Sequence, residues 1–229
     1  VEIFDCHGTD YREGCVIVIV GARYVEAFPM PRAALWVGQD VQANCVSVSV
    51  LGEGPPGDEA ICPEVNDILT NTPLSIAVIE YSGDTGSTSK IDHDPALYPY
   101  ALINNYFHQS PLLSESQYSD ETFGSVENPE VFRAEGDIEI RASDGHGILL
   151  VNGNLEVKGN FLWHGLIIIN GDFRFSGGGN KAIYGAVVAM GSAIRMDGGV
   201  DIYYDCTALS NLHRNVSSYQ KIWWYQPFS

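Results

Sequence analysis

Glycines recur at nearly regular intervals in the C-terminal half of the chain, and each opens a short stretch of strand-forming residues. A first series, separated by 17, 18 and 20 residues, consists of Gly136, Gly153, Gly171 and Gly191. A second series, separated by 18 and 20 residues, consists of Gly147, Gly165 and Gly185. Two strand types that recur at this spacing are typical of the successive coils of a solenoid. The sequence therefore predicts a mainly β fold, a short parallel β-solenoid (β-helix) with a few short helices and loops packed on one wall. The rule for parallel crossovers predicts that it is right-handed.

The strands that follow the first glycine series alternate between apolar and polar residues. Successive side chains of a strand point to opposite faces, and equivalent positions stack about 4.8 Å apart from coil to coil. The predicted inward columns are Ile138-Leu155-Phe173 and Ile140-Val157-Phe175. The predicted outward columns are Glu139-Glu156-Arg174 and Arg141-Lys158-Ser176. In the last coil Arg195 falls in an inward column, which predicts a bulge or a register change there.

The stretches that follow the second glycine series are apolar on both faces, as in Leu166 to Ile169. A wall that faces water on its outside would alternate between apolar and polar residues. We therefore expect another part of the chain to cover the outside of this wall. The aromatic segment Leu97 to Phe107 is the first candidate cover, and the C-terminal segment Ile222 to Tyr225 is the second. In an alternative arrangement, the C-terminal segment caps the open end of the stack.

The division of the chain follows from these patterns. Residues 1–32 form an N-terminal segment of antiparallel strands, and residues 33–229 form the solenoid domain. Within that domain, residues 33–52 resemble one further coil, residues 53–130 form a helical and loop insertion, and residues 219–228 form an aromatic strand.

Local signals predict the structure of the insertion. Proline and glutamate in a first turn predict a helix at about 63–70, and a second helix, broken near Pro99, is expected at 95–107. Residues 82–94 are rich in Gly, Ser, Thr and Asp and predict a mobile loop. Residues 110–129 are expected to be irregular and polar.

The net charge of −17, from 29 acidic and 12 basic residues, is typical of a solvated acidic surface. Nucleic-acid binding is disfavoured because contacts to phosphates need a basic face. The longest apolar run, Val16 to Val20, has the length of a strand and is too short to span a bilayer.

The five cysteines form no CxxC pattern, which disfavours a zinc site or a thioredoxin-like motif. Cys6 and Cys15 enclose a short loop that contains glycines, and we interpret the pair as a disulfide that staples a hairpin. Such a bond indicates an oxidising, exported location. Alternatively, the cysteines are small buried hydrophobic residues. The disulfide candidates are Cys6, Cys15, Cys45, Cys62 and Cys206, and the odd count leaves one free or paired with another chain.

Few residues are candidates for metal binding or catalysis. Asp92-His93-Asp94 has ligand types for a metal but is also typical of a solvated turn. Asp84 and Asp92 with loop carbonyls form a weak candidate Ca²⁺ site, although no EF-hand or nonapeptide pattern is present. We therefore predict no metal site and no cofactor, with Ca²⁺ as the one alternative. His164, beside Trp163, is expected to be a packing and hydrogen-bonding residue rather than a catalytic base.

The outward carboxylates admit two interpretations. Glu139 and Glu156 on neighbouring coils have the residue types of a glycosidase pair, with Arg141, Lys158 and Arg174 beside them. The simpler interpretation is a ladder of charges on a solvated face. Nucleophile-elbow, phosphate-loop and dinucleotide-binding motifs do not occur in the sequence. We predict that the chain is not an enzyme.

The solenoid sequence resembles a known family. The stretch from Gly147 to Leu209 is similar to the C-terminal region of PilX-like pilus-assembly proteins of Gram-negative bacteria, and Ala33 to Val41 looks like the entry into their folded domain. The similar runs are Gly147 to Leu155, Gly159 to Ile169, Gly171-Asp172, Ser176 to Asn180, Ile183 to Ala186 and Asp201 to Cys206. The resemblance implies an exported protein of the cell envelope or exterior, associated with type IV pili or a related filament. The hydrophobic pilin-like helix of that family is missing, so membrane association would arise only through such a helix upstream of Val1.

The predicted function is therefore structural, through assembly or adhesion, with other pilus or filament subunits, including the chain itself, as partners. The predicted assembly surface is the aromatic tail, with Trp223, Trp224, Tyr225 and Phe228. The alternative function is a carbohydrate-binding or carbohydrate-active β-helix. A bactofilin-like cytoskeletal polymer is a third interpretation.

Overall fold

The structure is a computed structural model, and it describes residues 16–25, 28–38, 40–43, 48–52, 65–71, 91–191, 193–216 and 218–227. The chain forms two compact units. The smaller unit comprises Val1–Pro29 and His213–Ser229, and the larger unit comprises Met30–Leu212.

Within the described residues the elements are mostly strands. The first nine strands are β1 (Val16–Val25), β2 (Ala33–Val37), β3 (Asp40–Ala43), β4 (Val48–Leu51), β5 (Asn66–Thr70), β6 (Ile91–His93), β7 (Leu112–Leu113), β8 (Gln117–Ser119) and β9 (Thr122–Phe123). The others are β10 (Glu130–Glu135), β11 (Ile138–Asn152), β12 (Leu155–Ile169), β13 (Phe173–Ser176), β14 (Lys181–Ala189), β15 (Ala193–Met196), β16 (Val200–Tyr204) and β17 (Ser218–Pro227). The helices are α1 (Tyr100–Tyr106) and α2 (Cys206–Val216).

The smaller unit contains a two-stranded antiparallel ribbon. Val16 of β1 lies opposite Pro227 of β17, and Val25 lies opposite Ser218. The aromatic tail thus forms a strand close to where we predicted one. The strand pairs with β1 and belongs to the smaller unit.

The larger unit is a parallel β-solenoid of about 5 turns, which confirms the predicted fold class. Each turn contributes to three parallel walls. The first wall contains, in order along the axis, β7, β10, the C-terminal parts of β11, β12 and β14, and then β2, β5 and β6. The C-terminal parts of the three long strands begin at Gly147, Gly165 and Gly185. The second wall contains β8, the starts of β11 and β12, and β13, β15 and β3. The third wall contains β9, the middles of β11 and β12, the start of β14, and β16 and β4.

The order of the coils along the axis differs from their order in the sequence. The N-terminal coil stacks beyond the last C-terminal coil, because β2 pairs with β14, β3 with β15 and β4 with β16. This confirms the further coil predicted at residues 33–52. The chain then adds β5 and β6 to the first wall and continues through α1 to β7 at the opposite end.

Three local predictions in the insertion differ from the structure. From Asn66 onwards the segment predicted as a helix is β5, because parallel pairing with β2 satisfies its backbone and buries Ile68 and Leu69. Such tertiary packing outweighs the weak helix-start signal at Pro63. The segment expected to be irregular at 110–129 contains β7, β8 and β9, which form an end coil. Residues 91–93, predicted as part of a mobile loop, form β6, and the rest of that loop lies outside the described residues.

The apolar first wall is covered, as its sequence predicted. The ring of Tyr98 meets Trp36 of β2 edge-on at 5.4 Å between centroids. At the other end of the covering segment, Asn104 of α1 accepts a hydrogen bond from Nε of Arg133 on β10 at 3.1 Å. Tyr98 and Ile103 are 3% and 2% exposed, so the cover excludes water from the outer side of the wall.

The column assignments are confirmed by the strand register. Phe173 pairs with Ile194, and Arg174 pairs with Arg195, so one additional residue after Gly191 returns Arg195 to the outward face. The predicted register change is therefore present. At the corners, Asn170 donates a hydrogen bond from Nδ2 to Oδ1 of Asn152 at 3.1 Å. These axial bonds fix the stacking of the coils.

Candidate functional site on the second wall

A groove of about 480 Å³ lies on the outer face of the second wall. Neighbouring coils lie about 4.8 Å apart, so the strands β8, β11, β12, β13 and β15 that border the groove extend it over about 19 Å. Its lining residues are Ser116, Gln117, Asp137, Ile138, Glu139, Asn154, Leu155, Glu156, Asp172, Phe173, Arg174 and Arg195. The groove therefore contains the predicted outward carboxylates.

Glu139 lies at the centre of an ion-pair cluster that joins two coils. One carboxylate oxygen accepts a hydrogen bond from Nε of Arg141 on the same strand. The other accepts a hydrogen bond from Nζ of Lys158 on the next coil at 2.7 Å. The same Nζ lies 3.2 Å from Oε2 of Glu156. These contacts confirm that the two outward columns interact across the coils.

Glu156 and Arg174 continue the cluster towards the next coils. Ser176 donates a hydrogen bond from Oγ to Oε1 of Glu156 at 2.7 Å, and Nε of Arg174 lies 3.9 Å from the same oxygen. A second nitrogen of Arg174 contacts Oδ2 of Asp197 at 3.2 Å. Glu139, Glu156 and Arg174 are thus each paired with opposite charges on their own or a neighbouring coil.

The electrostatics keep both carboxylates ionised. Hydrogen bonds from Lys158 and Arg141 lower the pKa of Glu139 below its ordinary value of 4.5. Burial raises the pKa of Glu156, but hydrogen bonds from Ser176 and Lys158 outweigh burial and lower it overall. A glycosidase needs one carboxyl group with a raised pKa to protonate the leaving oxygen. Neither carboxyl group has this property, which favours the charge-ladder interpretation.

Arg195 is the cation of this face that differs from its neighbours. Its side chain is exposed and lies in register with Arg174 on the adjacent coil. Among the described residues no carboxylate forms an ion pair with Arg195. The groove thus ends at a guanidinium group whose charge is not neutralised by that part of the chain.

A second feature, on the third wall, is a ladder of stacked rings. His146 and His164 stack at 4.7 Å between centroids, His164 and Tyr184 at 4.9 Å, and Tyr184 and Tyr203 at 5.5 Å. The interplanar angles are 7°, 13° and 15°. The expected packing role of His164 agrees with its place in this ladder, which the 18- to 20-residue spacing of the four residues in the sequence would have revealed.

The ring ladder is poorly suited to sugar stacking or to metal binding. Each inner ring already contacts rings on both faces, so its faces are not available to the flat face of a sugar. A metal bound by both histidines would need to lie near both ring planes, which are almost parallel and belong to separate coils. Within the described ranges, no group of three or more His, Cys, Asp or Glu side chains has the arrangement of a metal site.

The remaining candidates from the sequence are spread over the molecule. Trp223, Trp224 and Tyr225 lie in β17, where the structure describes the strand but not its side chains. Phe228 and Asp84 lie outside the described residues, as do Cys6, Cys15, Cys45 and Cys62. Cys206, the first residue of α2, is disulfide-bonded.

The Asp92-His93-Asp94 motif does not form an isolated polar loop. Asp92 and His93 belong to β6, and Asp94 forms an ion pair with Arg32. The backbone N–H of Ala96 donates to Oδ1 of Asp94 at 2.7 Å. These bonds give Asp94 a structural role at the end of the first wall.

No family model, no curated protein and no solved structure matches this chain. Neither helix of the described ranges is long and apolar enough to cross a membrane.

Proposed function

We propose that this chain is a structural protein of an exported surface filament related to type IV pili, in which the solenoid forms the body and the β1–β17 ribbon mediates assembly. The polar side chains of the second wall support a structural role, because Glu139, Lys158 and Glu156 bond from coil to coil. The same pattern holds at the corners, where Asn152 and Asn170 are hydrogen-bonded. These groups stabilise the stack and leave the two carboxyl groups ionised.

The observation that carries the assembly role is the ribbon itself. Its two strands of ten residues pair over their full length, and Trp223, Trp224 and Tyr225 belong to one of them. A two-stranded sheet gains stability from a third strand or from a packing partner. A strand of a neighbouring subunit that adds to a ribbon edge supplies both. A head-to-tail contact of this kind that does not close produces a filament.

The disulfide of Cys206 supports the exported location, because disulfides persist in oxidising compartments and are rare in the cytosol. The proposed cell is a Gram-negative bacterium, in line with the resemblance of Gly147 to Leu209 to PilX-like proteins.

The experiment that tests this proposal has two parts. In the source cells, shearing should release the protein with the surface filaments, and protease added to intact cells should degrade it. In vitro, the purified chain should self-associate in sedimentation velocity, and the double variant Trp223→Lys, Trp224→Lys should remain monomeric. The matched control is Leu102→Lys, which places a charge at an apolar residue of α1 that is 73% exposed. A cytosolic location would exclude the proposal. Equal self-association of the unmodified chain, the double variant and the Leu102→Lys control would exclude it as well.

A further inference from the structure

The cations of the chain are unevenly distributed. The chain has 12 Lys and Arg residues against 29 Asp and Glu residues. A third of these cations nevertheless lie on consecutive coils of the second wall, namely Arg141, Lys158, Arg174 and Arg195. Acidic residues share this face, and four of them, Asp137, Glu139, Glu156 and Asp172, line the groove beside Arg174 and Arg195. The groove therefore favours an anion only at Arg195, whose charge no carboxylate of the described residues neutralises.

Arg174 and Arg195 lie side by side on neighbouring coils. Like charges at directly paired positions destabilise a sheet. Asp197 at 3.2 Å and Glu156 at 3.9 Å compensate the charge of Arg174. Arg195 is exposed and forms no ion pair with any residue in the described ranges. The pair of guanidinium groups thus has an excess of positive charge that an anionic ligand would neutralise.

The end of the groove away from Arg195 is lined by hydrogen-bond acceptors instead of cations. On the coil of β11, Asp137 and Glu139 contribute carboxylates, and on the coil of β12, Glu156 and Asn154 contribute a carboxylate and a side-chain amide. Such groups accept hydrogen bonds from hydroxyls. A volume of about 480 Å³ is in the range of sites that bind small ligands. The groove is therefore complementary to a ligand that has an anionic group at one end and several hydroxyls along its length.

We propose that this groove binds an acidic oligosaccharide, with the carboxylate of a uronic acid on the guanidinium group of Arg195. The planar fork of arginine donates two parallel hydrogen bonds to a carboxylate, a geometry that lysine does not offer. The sugar hydroxyls donate to the carboxylates at the other end of the groove. This binding role goes beyond the structural function and does not depend on it, because the groove lies in the solenoid and the proposed assembly element is the β1–β17 ribbon.

Isothermal titration calorimetry with defined probes tests the ligand class. The probes are a trimer of neutral sugars with one uronic acid at its end, the same trimer with the corresponding neutral sugar there, and inorganic phosphate. We expect saturable binding of the acidic trimer and at least tenfold weaker binding of the other two. Equal affinity for the neutral trimer would show that the guanidinium group is not used. Equal affinity for phosphate would show that the site recognises a bare anion, and either result would overturn the proposal.

Two variants test the residue assignment. Arg195→Gln should weaken binding of the acidic trimer about tenfold or more, because it removes a charged, bidentate contact. Arg214→Gln removes the same charge from another exposed arginine that forms no ion pair among the described residues, and it should change the affinity by less than about twofold. Equal losses in both variants would indicate a general charge effect and would contradict the assignment, as would absence of binding by the unmodified chain. Circular dichroism checks that both variants fold.

Discussion

Val188 and Trp36 pair in parallel register on the first wall, although they belong to opposite halves of the sequence. This contact joins the coils of the C-terminal half to the N-terminal coil. Trp36 is 4% exposed, its ring meets Tyr98 of the covering segment, and the guanidinium group of Arg32 lies 5.1 Å from its centre. The junction of the two halves is therefore held by one large side chain with contacts to three parts of the unit.

Replacement of Trp36 should destabilise the solenoid strongly. Trp36→Ala leaves a cavity between the junction and its cover, and we expect a loss of about 3–5 kcal/mol in the free energy of unfolding. Urea unfolding followed by circular dichroism measures this loss. The control is Leu102→Ala, at a residue 73% exposed, which should change stability by less than about 0.5 kcal/mol. Equal stability of the two variants would show that the N-terminal coil adds nothing to the stack.

The pair Trp36 and Tyr98 also allows a sharper test of the cover. Edge-to-face aromatic pairs contribute about 0.5–1.5 kcal/mol beyond the area that they bury. A double-mutant cycle with Trp36→Leu and Tyr98→Leu should therefore give a coupling free energy of that size. Additive effects of the two substitutions would mean that the covering segment packs on this wall without a specific contact at Trp36.

Much of the solenoid could be predicted from local pattern alone. The period of the glycines and the alternation around Glu139 and Glu156 determine which residues share a column, because stacking repeats the same environment in each coil. The axial position of the N-terminal coil could not be read this way, since pairing of Trp36 with Val188 depends on contacts between distant parts of the chain. The same reason explains the error at Asn66, where a weak local helix signal competes with a strand that only long-range pairing reveals.

The candidate site was predictable in part. The outward carboxylates and their cationic neighbours followed from the alternation, but the place of Arg195 did not. One additional residue after Gly191 moves Arg195 from the inward to the outward column. The inward position that the glycine period gives to Arg195 indicates that the register must change in the last coil. The period does not show at which residue the change occurs. The excess charge beside Arg174 therefore became visible only in the structure.

The corner glycines should tolerate side chains very unequally. Gly165 has φ of +131°, and a Cβ there would overlap the backbone carbonyl oxygen of Gly147 on the neighbouring coil. We expect Gly165→Ala to lower the free energy of unfolding by about 3 kcal/mol or more, because both the backbone and the coil spacing must adjust. The matched control is Gly178→Ala, where a Cβ would meet no atom within 4 Å. Thermal unfolding of the two variants measures the difference, and similar melting temperatures would contradict the role of Gly165 as a corner.

The Glu139 cluster should make stability depend on pH in the acidic range. A carboxyl group whose pKa is lower in the folded than in the unfolded state stabilises the fold above its ordinary pKa of 4.5. That stabilisation is lost as the pH falls from about 5 through the lowered pKa. Glu139→Gln should therefore reduce the decrease in melting temperature between pH 5 and pH 3. Glu127→Gln, at an exposed carboxylate with no ion pair among the described residues, is the control and should keep the profile of the unmodified chain.

The ring ladder should add a second pH dependence nearer to neutrality. Burial lowers the pKa of His164 below 6.5, and the adjacent ring of His146 lowers it further, against the opposing influence of Asp205 and Asp144. A histidine with a lowered pKa in the folded state binds protons more readily when the chain is unfolded. Stability should therefore be complete above about pH 6.5 and should decrease as the pH falls through that value towards the lowered pKa.

His164→Phe separates this effect from that of the carboxylates. The variant keeps a flat ring between His146 and Tyr184, which stack on His164 at 4.7 and 4.9 Å, but it cannot take up a proton. We expect its melting temperature to stay nearly constant between pH 7 and pH 5.5, where that of the unmodified chain decreases. NMR titration of the His164 ring in the unmodified chain gives the pKa directly. A value at or above 6.5 would mean that the ladder leaves the ring open to water, and the stacking geometry would then have no influence on protonation.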